Sequence, residues 1–235
     1  MVNKKRVAII PARGGSKRIP KKNIIDFLGK PMIAYTIEAA IASNCFEDII
    51  VSTDDQEIAD VSVQYGAKVP FLREQYADDH STISQATVHT LQKLSSELSE
   101  NYESVVQLMA NCPIRNSEDI IEACNFFDDN VHNFQISAFK FGWMNPWWAH
   151  KLEDNFTATP VFDDEIRNRR SQDQPDLYCP TGAIWIANVE KLKDSESFYG
   201  DSYRFFPIDW KSAMDIDDTD DLEFAKVLMK HKYGK

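Results

Sequence analysis

The sequence lacks a long apolar run, because no stretch approaches the ~20 consecutive apolar residues that a membrane helix needs. Cysteine is scarce: the 235 residues contain four, with no C-x-x-C pair and no neighbouring histidine cluster. This pattern disfavours a zinc ribbon or a disulfide framework. The basic amino terminus is not followed by the apolar segment of a secretory signal. We therefore expect a cytoplasmic protein with buried free thiols and no membrane partner.

The sequence also lacks an excess of positive charge. Its 26 Lys and Arg residues face 37 Asp and Glu residues, for a formal net charge of −11. This balance disfavours nucleic acid as a partner. The charge is unevenly distributed, because residues 1–30 hold nine of the 26 basic residues and only one acid, Asp26. A local cationic site on an acidic body favours a compact anionic ligand.

The cationic segment surrounds a glycine-containing turn. Val7–Ile10 predicts a buried parallel strand, and Gly14-Gly15 lies shortly after it in the chain. Two adjacent glycines let backbone N–H groups converge on a bulky anion. The turn also carries five cations and two neutral polar residues: Arg13, Lys17, Arg18, Lys21, Lys22, Ser16 and Asn23. The combination predicts a polyphosphate site rather than a plain solvent loop, although it matches neither a Walker A loop nor a dinucleotide fingerprint.

Short apolar runs alternate with helical periodicity along most of the chain. Strands are predicted at Ile49–Val51, 68–71, 104–109 and 182–187, and helices at 84–98, 117–127 and 222–229. This alternation predicts a single α/β domain over residues 1–235 with a mostly parallel sheet. Ligands of such sheets bind outside the carboxyl ends of the strands. Residues 134–187 are aromatic-rich and interrupted by Pro146, and we interpret them as an excursion from the main sheet.

Several motifs, taken in order, resemble those of the acylneuraminate cytidylyltransferases, the family of CMP-sialic acid synthetases and their bacterial nonulosonate relatives. The similar segments are 9–23, 29–35, 51–55, 69–73, 112–115, 170–173 and 214–217. The resemblance implies a Rossmann-like three-layer nucleotidyltransferase fold. It also implies that CTP and a nonulosonic sugar acid react to give the CMP-sugar and pyrophosphate. A protruding arm within 134–187 would mediate homodimerisation and reach the partner's active site.

The resemblance also implies roles for individual residues. Its nucleotide-binding positions are Ala12, Arg13, Gly14, Gly15, Ser16, Lys21, Asn23, Arg73, Ser81 and Thr82. Among them, Arg13, Ser16 and Lys21 would hold the triphosphate, and Asn23 would contact the ribose. Arg73 would lie at the cytosine, although an exposed strand-end arginine is a close alternative. Thr82 also suits a helix N-cap. Arg13, Lys21 and Asp217 are the expected catalytic residues.

Asp215 and Asp217 form the expected metal site. Residues two apart in an extended segment point the same way, so both carboxylates can face one cation. Mg²⁺ prefers one or two carboxylates together with phosphate oxygens. The alternative is an acidic start to the last helix, with Asp218 or Thr219 as its cap.

The sugar-binding positions implied by the resemblance are Met109, Asn111, Arg170 and Gln172. A guanidinium suits the sugar carboxylate, which favours Arg170. Met109 stands where the family has a glutamine, and a thioether cannot donate the same hydrogen bond, so the identity of the sugar stays open. An eight-carbon sugar acid and a non-catalytic nucleotide-binding module are the alternatives.

No general base can be assigned from the sequence. The two histidines near the nucleotide segment, His80 and His89, fit surface or packing positions better.

Overall fold

The computed structural model describes residues 5–76 and 81–234. The strands are β1 (Arg6–Pro11), β2 (Asp26–Phe27), β3 (Lys30–Pro31), β4 (Asp48–Ser52), β5 (Ser104–Gln107), β6 (Phe134–Lys140), β7 (His150–Leu152), β8 (Ala158–Pro160), β9 (Tyr178–Asn188) and β10 (Arg204–Pro207). The α-helices are α1 (Met32–Ser43), α2 (Gln56–Gln64), α3 (Ile83–Leu98), α4 (Ser117–Asp129), α5 (Asp164–Arg167), α6 (Val189–Ser195) and α7 (Thr219–Tyr233).

Six strands form the central sheet in the order β10-β6-β9-β5-β1-β4. β1 pairs in parallel with β4 and β5, and β10 pairs in parallel with β6. β9 runs antiparallel to both of its neighbours. The prediction of a mostly parallel α/β sheet is confirmed. The carboxyl ends of β1, β4 and β5 therefore meet at one edge of the sheet.

Local sequence explains where the helices begin. Asp55 caps α2 by accepting hydrogen bonds from the backbone of Glu57 and Ile58. Thr82 caps α3, and its capping box with Gln85 confirms the predicted alternative role for that threonine. Asp218 caps α7 in the same way, together with Asp221. Each cap supplies acceptors to amide groups that the first helical turn leaves unpaired.

Apolar side chains cover both faces of the sheet and form a third, smaller cluster. One large cluster packs α1 and α4 against one face, and a second packs α3 and α6 against the other. The third cluster joins Ile19, Phe27 and Met32 to Ile216 and to α7. It holds the segment after β1 against the segment before α7. Two stretches almost 200 residues apart thus become neighbours.

The excursion predicted for 134–187 is smaller than expected. Its two ends, β6 and β9, pair with each other within the central sheet, and residues 134–138 of β6 are buried there. The segment 141–177, here called the arm, lies outside that sheet and contains the β7–β8 hairpin. The strand predicted at 68–71 is reduced to an isolated bridge between Ile50 and Lys68. None of the described helices combines the length and apolarity needed to span a bilayer.

Candidate active site

The glycine turn lies at the carboxyl end of β1 and is tied to the turn after β4. Ala12 N donates to Ser52 O at 2.9 Å, and Gly14 N donates to Asp54 Oδ1 at 3.0 Å. A Cβ at Gly14 would lie 2.7 Å from Asp55 Oδ2, whereas one at Gly15 would meet nothing within 4 Å. Close approach of the Asp55 side chain therefore requires glycine at position 14.

Two adjacent lysines leave this turn in different directions. Lys21 has φ 53°, and its exposed ammonium group pairs with Glu57. Lys22 begins the 3-10 helix Lys22–Ile24, and its half-buried Nζ donates to Ile216 O at 2.8 Å and to Asp217 Oδ1 at 3.0 Å. The left-handed backbone at Lys21 separates the two side chains. Lys22 therefore faces the carboxyl-terminal acids, whereas Lys21, which was expected at the triphosphate, pairs with Glu57.

Asp217 meets the amino-terminal cations because Ile216 anchors its segment. Ile216 is fully buried in the third cluster, and its backbone exchanges hydrogen bonds with Asn111. Asp217 Oδ2 accepts from Arg18 Nη2 at 2.8 Å while Oδ1 accepts from Lys22. Two cations thus share one carboxylate.

The two aspartates have opposite pKa shifts. Loss of hydration works against ionisation of Asp217, but hydrogen bonds and charge attraction from Lys22 and Arg18 outweigh it and lower its pKa. At Asp215, loss of hydration and then repulsion from Asp217 raise the pKa of the carboxyl. Asp217 is therefore the more readily ionised of the pair.

A cavity of about 460 Å³ lies between the glycine turn, Asp217 and the start of α3. Its described lining contains five cations and one carboxylate. The lining residues are Pro11, Arg13, Ser16, Lys17, Arg18, Lys22, Asn23, Arg73, Tyr76, Ser81, Thr82, Ile83, Ala86, Met109, Asn111 and Asp217. Its volume is within the range typical of small-molecule sites. The excess of positive charge favours a polyanionic ligand.

The lining includes most, but not all, of the predicted nucleotide-binding residues. Arg13, Ser16, Asn23, Arg73, Ser81 and Thr82 line the cavity. Ala12, Gly14, Gly15 and Lys21 do not belong to the described lining, although the first three lie in the adjoining turn. Asn23 supports this turn, because its Nδ2 donates to Arg13 O at 2.9 Å. Two histidines were expected at surface or packing positions. Of these, His80 lies outside the described residues, and the ring of His89 packs edge-on against the ring of Tyr76.

Arg73 forms a buried part of the cavity wall rather than an exposed strand end. It is 4% exposed, and its Nη1 donates to both the carbonyl and the hydroxyl of Ser52. Its Nε has no hydrogen-bond partner within the described residues. Burial lowers the pKa of Arg73, and nearby Arg13 adds to this effect while Asp54 opposes it. A hydrogen-bond acceptor on a ligand would satisfy the remaining donor.

Met109 and Asn111 also line the cavity. Asn111 is 4% exposed, and its Oδ1 has no partner within the described residues. The fully buried Arg115 supports this loop. Its Nη1 donates a hydrogen bond to Ala183 O at 2.6 Å, and its Nη2 donates one to Thr36 Oγ1 at 2.7 Å. Sequence reasoning gave Arg115 no role, because its burial depends on β9. Met109 also packs on Gly182, where a Cβ would lie 2.6 Å from Met109 Cγ.

Two predicted sugar-binding residues lie away from this cavity. Arg170 and Gln172 are exposed on the arm, and Arg170 Nε pairs with Asp173 at 2.8 Å. Asp215 also lies outside the described lining, so Asp217 is the member of the predicted metal pair that faces the cavity. A single chain therefore brings Arg13, Asn23, Arg73 and Asp217 together but not Arg170 or Gln172.

A cationic cavity at the carboxyl edge of a mostly parallel sheet is typical of nucleotide-binding α/β proteins. The cytidylyltransferase family profile matches residues 7–139. The chain belongs to the cytidylyltransferase family and is a nucleotidyltransferase, which confirms the resemblance seen in its motifs.

Three curated relatives illustrate this membership. Pseudaminic acid cytidylyltransferase of Campylobacter jejuni is 37% identical over 96% of this chain and 97% of its own length. CMP-N,N'-diacetyllegionaminic acid synthase of Legionella pneumophila is 35% identical over 95% of this chain and 96% of its own length. N-acylneuraminate cytidylyltransferase of Escherichia coli is 33% identical over 97% of this chain and 53% of its own length.

Solved structures confirm the fold. A CMP:2-keto-3-deoxy-manno-octonic acid synthetase complexed with CTP superimposes with a TM-score of 0.71 and 18% identity, covering 97% of this chain and 99% of that one. A 4-diphosphocytidyl-2C-methyl-D-erythritol synthase from Anaerococcus prevotii gives a TM-score of 0.67 and 16% identity, covering 97% of this chain and 99% of that one. At these identities the likeness concerns architecture alone.

Proposed function

We propose that this cytidylyltransferase couples CTP to a nonulosonic sugar acid, giving the CMP-sugar and pyrophosphate. The observation that carries the proposal is the meeting of Arg13, Lys22 and Arg18 with Asp217 around one cavity. The acceptor class rests on the relatives named for pseudaminic, diacetyllegionaminic and N-acylneuraminic acids, each at least 33% identical over nearly the whole chain.

In this proposal, the cationic half of the cavity binds the triphosphate. Arg13, Lys17 and Lys22 lie at the end of β1, where they neutralise the charge that spreads onto the phosphate oxygens during transfer. Asn23 holds the Arg13 backbone and faces the ribose. Arg73 offers its unpaired Nε to the base. Holding these groups in place aligns the α-phosphorus for attack by the sugar hydroxyl.

We further propose Mg²⁺ as the cofactor, with Asp217 and Asp215 as its protein ligands. The donor set fits a metal shared with the substrate: two carboxylates lie in one segment, and one faces the cavity. Within the described residues, no group of three or more His, Cys, Asp or Glu is arranged for a metal. Phosphate oxygens and water would complete the coordination. When bound, the ion would neutralise phosphate charge, while Arg18 and Lys22 would turn from Asp217 towards the triphosphate.

The same proposal includes a homodimer in which the arm completes the partner's acceptor site. The arm exposes large apolar side chains, including Trp143 at 84% and Phe156 at 82%. Exposed rings of this size favour a protein interface. Arg170 lies on this arm, away from its own chain's cavity, so it would meet the sugar carboxylate in the other subunit.

We place the enzyme in the cytoplasm because its four cysteines are free.

The test is a pyrophosphate-release assay with CTP, Mg²⁺ and a panel of acceptors. The panel contains pseudaminic, legionaminic and N-acetylneuraminic acids and the eight-carbon 2-keto-3-deoxy-octonic acid. We expect CTP-dependent release with at least one nine-carbon acid and much less with the eight-carbon acid. Preference for the eight-carbon acid would replace the acceptor class, and no release with any acceptor would indicate a nucleotide-binding module.

A further inference from the structure

One aromatic side chain lines the cavity, and the sequence motifs did not point to it. Tyr76 is the only aromatic residue in the described lining, and it is 39% exposed. It follows Arg73 in the chain by three residues, and the buried Nε of Arg73 has no hydrogen-bond partner within the described residues. An aromatic ring and an unused donor are therefore both available to a ligand of this cavity.

The backbone of Tyr76 is in the left-handed region, with a φ of 56°. A bulky residue adopts this conformation at a cost in free energy, because its Cβ crowds the backbone. Residues held in such conformations are concentrated at ligand-binding sites. Among the eight non-glycine residues of positive φ in the described ranges, Tyr76 is the one that lines the cavity. The cost at this position favours a functional role for the ring.

His89 contacts the ring of Tyr76 from α3. The two ring centroids lie 5.5 Å apart, and the ring planes meet at 62°, which is an edge-on contact of the kind that aromatic rings favour. On α3, His89 follows Ile83 and Ala86 at intervals of three residues, so the three side chains are neighbours on the helix surface. Ile83 and Ala86 line the cavity. The ring of Tyr76 therefore lies beside the apolar wall that α3 contributes.

We propose that Tyr76 is the surface on which the pyrimidine of the nucleotide stacks, and that His89 is the positioning residue that holds its ring. The assignment rests on the proposed function, because it takes CTP as the ligand. A nucleobase needs hydrogen-bond partners at its edge and a flat apolar surface against its face. Arg73 supplies a donor for the edge, and Tyr76 supplies the surface for the face.

The first test measures the Kd of CTP and of inorganic triphosphate by calorimetry in the presence of Mg²⁺, without a sugar acceptor. Tyr76→Leu keeps an apolar side chain but removes the ring. Its Kd for CTP should rise by about tenfold, because stacking with the base is lost, while its Kd for triphosphate should stay within about twofold. Tyr76→Phe keeps the ring and should bind CTP like the wild type.

Inorganic triphosphate has no base, so it separates stacking from a structural effect on the whole cavity. A parallel loss of affinity for both ligands in Tyr76→Leu, or an unchanged affinity for CTP, would overturn the inference. A wild type that does not bind CTP would instead contradict the proposed function. Tight binding of CTP that is indifferent to the residue at position 76 would contradict the role of Tyr76 alone.

A glycine variant tests the ring separately from the backbone. Tyr76→Gly removes the ring and also the cost of the left-handed conformation, so it replaces Tyr76→Leu if the leucine variant does not fold. It should weaken CTP binding by about tenfold. Ser99→Gly is the matched control, because Ser99 has a φ of 57° at the end of α3 and lies outside the described lining. Its Kd for CTP should equal that of the wild type. Wild-type affinity in Tyr76→Gly would contradict the assignment.

The positioning role of His89 is tested by removing and restoring its ring. His89→Ala should raise the Kd of CTP by about threefold and leave that of triphosphate unchanged, because the edge-on contact with Tyr76 is lost. His89→Phe restores a ring at this position and should recover most of the affinity. Equal losses in the two variants, or a loss of affinity for triphosphate as well, would show that the ring contact does not position Tyr76.

Discussion

The cavity and the arm use their functional side chains in contrasting ways. In the cavity, Asp217 is held by the fully buried Ile216, and Arg73 is 4% exposed. On the arm, Trp143 is 84% exposed, and Arg170 reaches no part of the cavity lining described for its own chain. One region is therefore organised within a single chain, whereas the other presents a surface suited to a second chain. This difference separates the proposed nucleotide chemistry from the proposed acceptor recognition.

The largest expected effect is loss of turnover in Asp217→Ala. This change removes the carboxylate that faces the cavity and leaves Arg18 and Lys22 without their shared acceptor. We expect kcat to fall by about 10³-fold, because the proposed metal ligand and the local charge balance would be lost together. The measurement is pyrophosphate release, with circular dichroism to check folding. Asp220→Ala, an exposed acid of the same segment, should stay within about twofold of wild type; ordinary turnover in Asp217→Ala would remove its catalytic role.

The adjacent lysines allow a sharper comparison inside the cavity. Lys22→Ala should lower kcat/KM by about 10²-fold, because its half-buried ammonium group faces the proposed phosphate site. Lys21→Ala should change kcat/KM by less than about threefold, since an exposed pair with Glu57 contributes little. Steady-state kinetics with varied CTP would measure both. The reverse order would restore Lys21 to the role that the sequence assigned to it.

The arm is tested by subunit complementation. Arg170→Ala should raise the acceptor KM by about 30-fold and leave the CTP KM unchanged, because the proposed charge-assisted contact with the sugar would be lost. Mixed with Asp217→Ala under conditions that exchange subunits, it should recover about a quarter of wild-type activity. In the mixed dimer, one site combines the intact Asp217 of one subunit with the intact Arg170 of the other. Failure to recover any activity above the two parents would contradict an arm that acts in trans.

The smallest effect expected concerns the two glycines of the turn. Gly14→Ala should raise the CTP KM by about tenfold, because its Cβ would lie 2.7 Å from Asp55 Oδ2 and would displace the turn. Gly15→Ala is the matched control, since its Cβ meets nothing within 4 Å, and it should stay within about twofold. CTP titrations of both variants would measure the difference. Equal behaviour of the two variants would show that the contact with Asp55 does not hold the turn.

Local patterns in the sequence predicted most of the sheet and several helix starts. The apolar run at Val7–Ile10 became β1, and Asp218, the alternative cap named for the last helix, caps α7. These features depend on neighbours in the chain, which explains why they can be read directly. The place of β6 in the central sheet was not predicted, because its pairing partners, β9 and β10, lie far along the chain.

Other features depend on the backbone conformation and on distant contacts. Lys21 and Lys22 are adjacent residues of the same type, so the sequence alone does not distinguish them. In the structure Lys21 has a positive φ, and Lys22 is the lysine that faces Asp217. This difference leaves no periodic signal in the sequence.

The most direct test of the central claim is a crystal structure of the enzyme with CTP and Mg²⁺. We expect the triphosphate between the Gly14–Arg18 turn and Lys22, with the metal bound by Asp217 and the cytosine beside Arg73. A nucleotide bound instead in the neighbouring cavity, which is lined by Trp185 and Tyr199, would contradict the account.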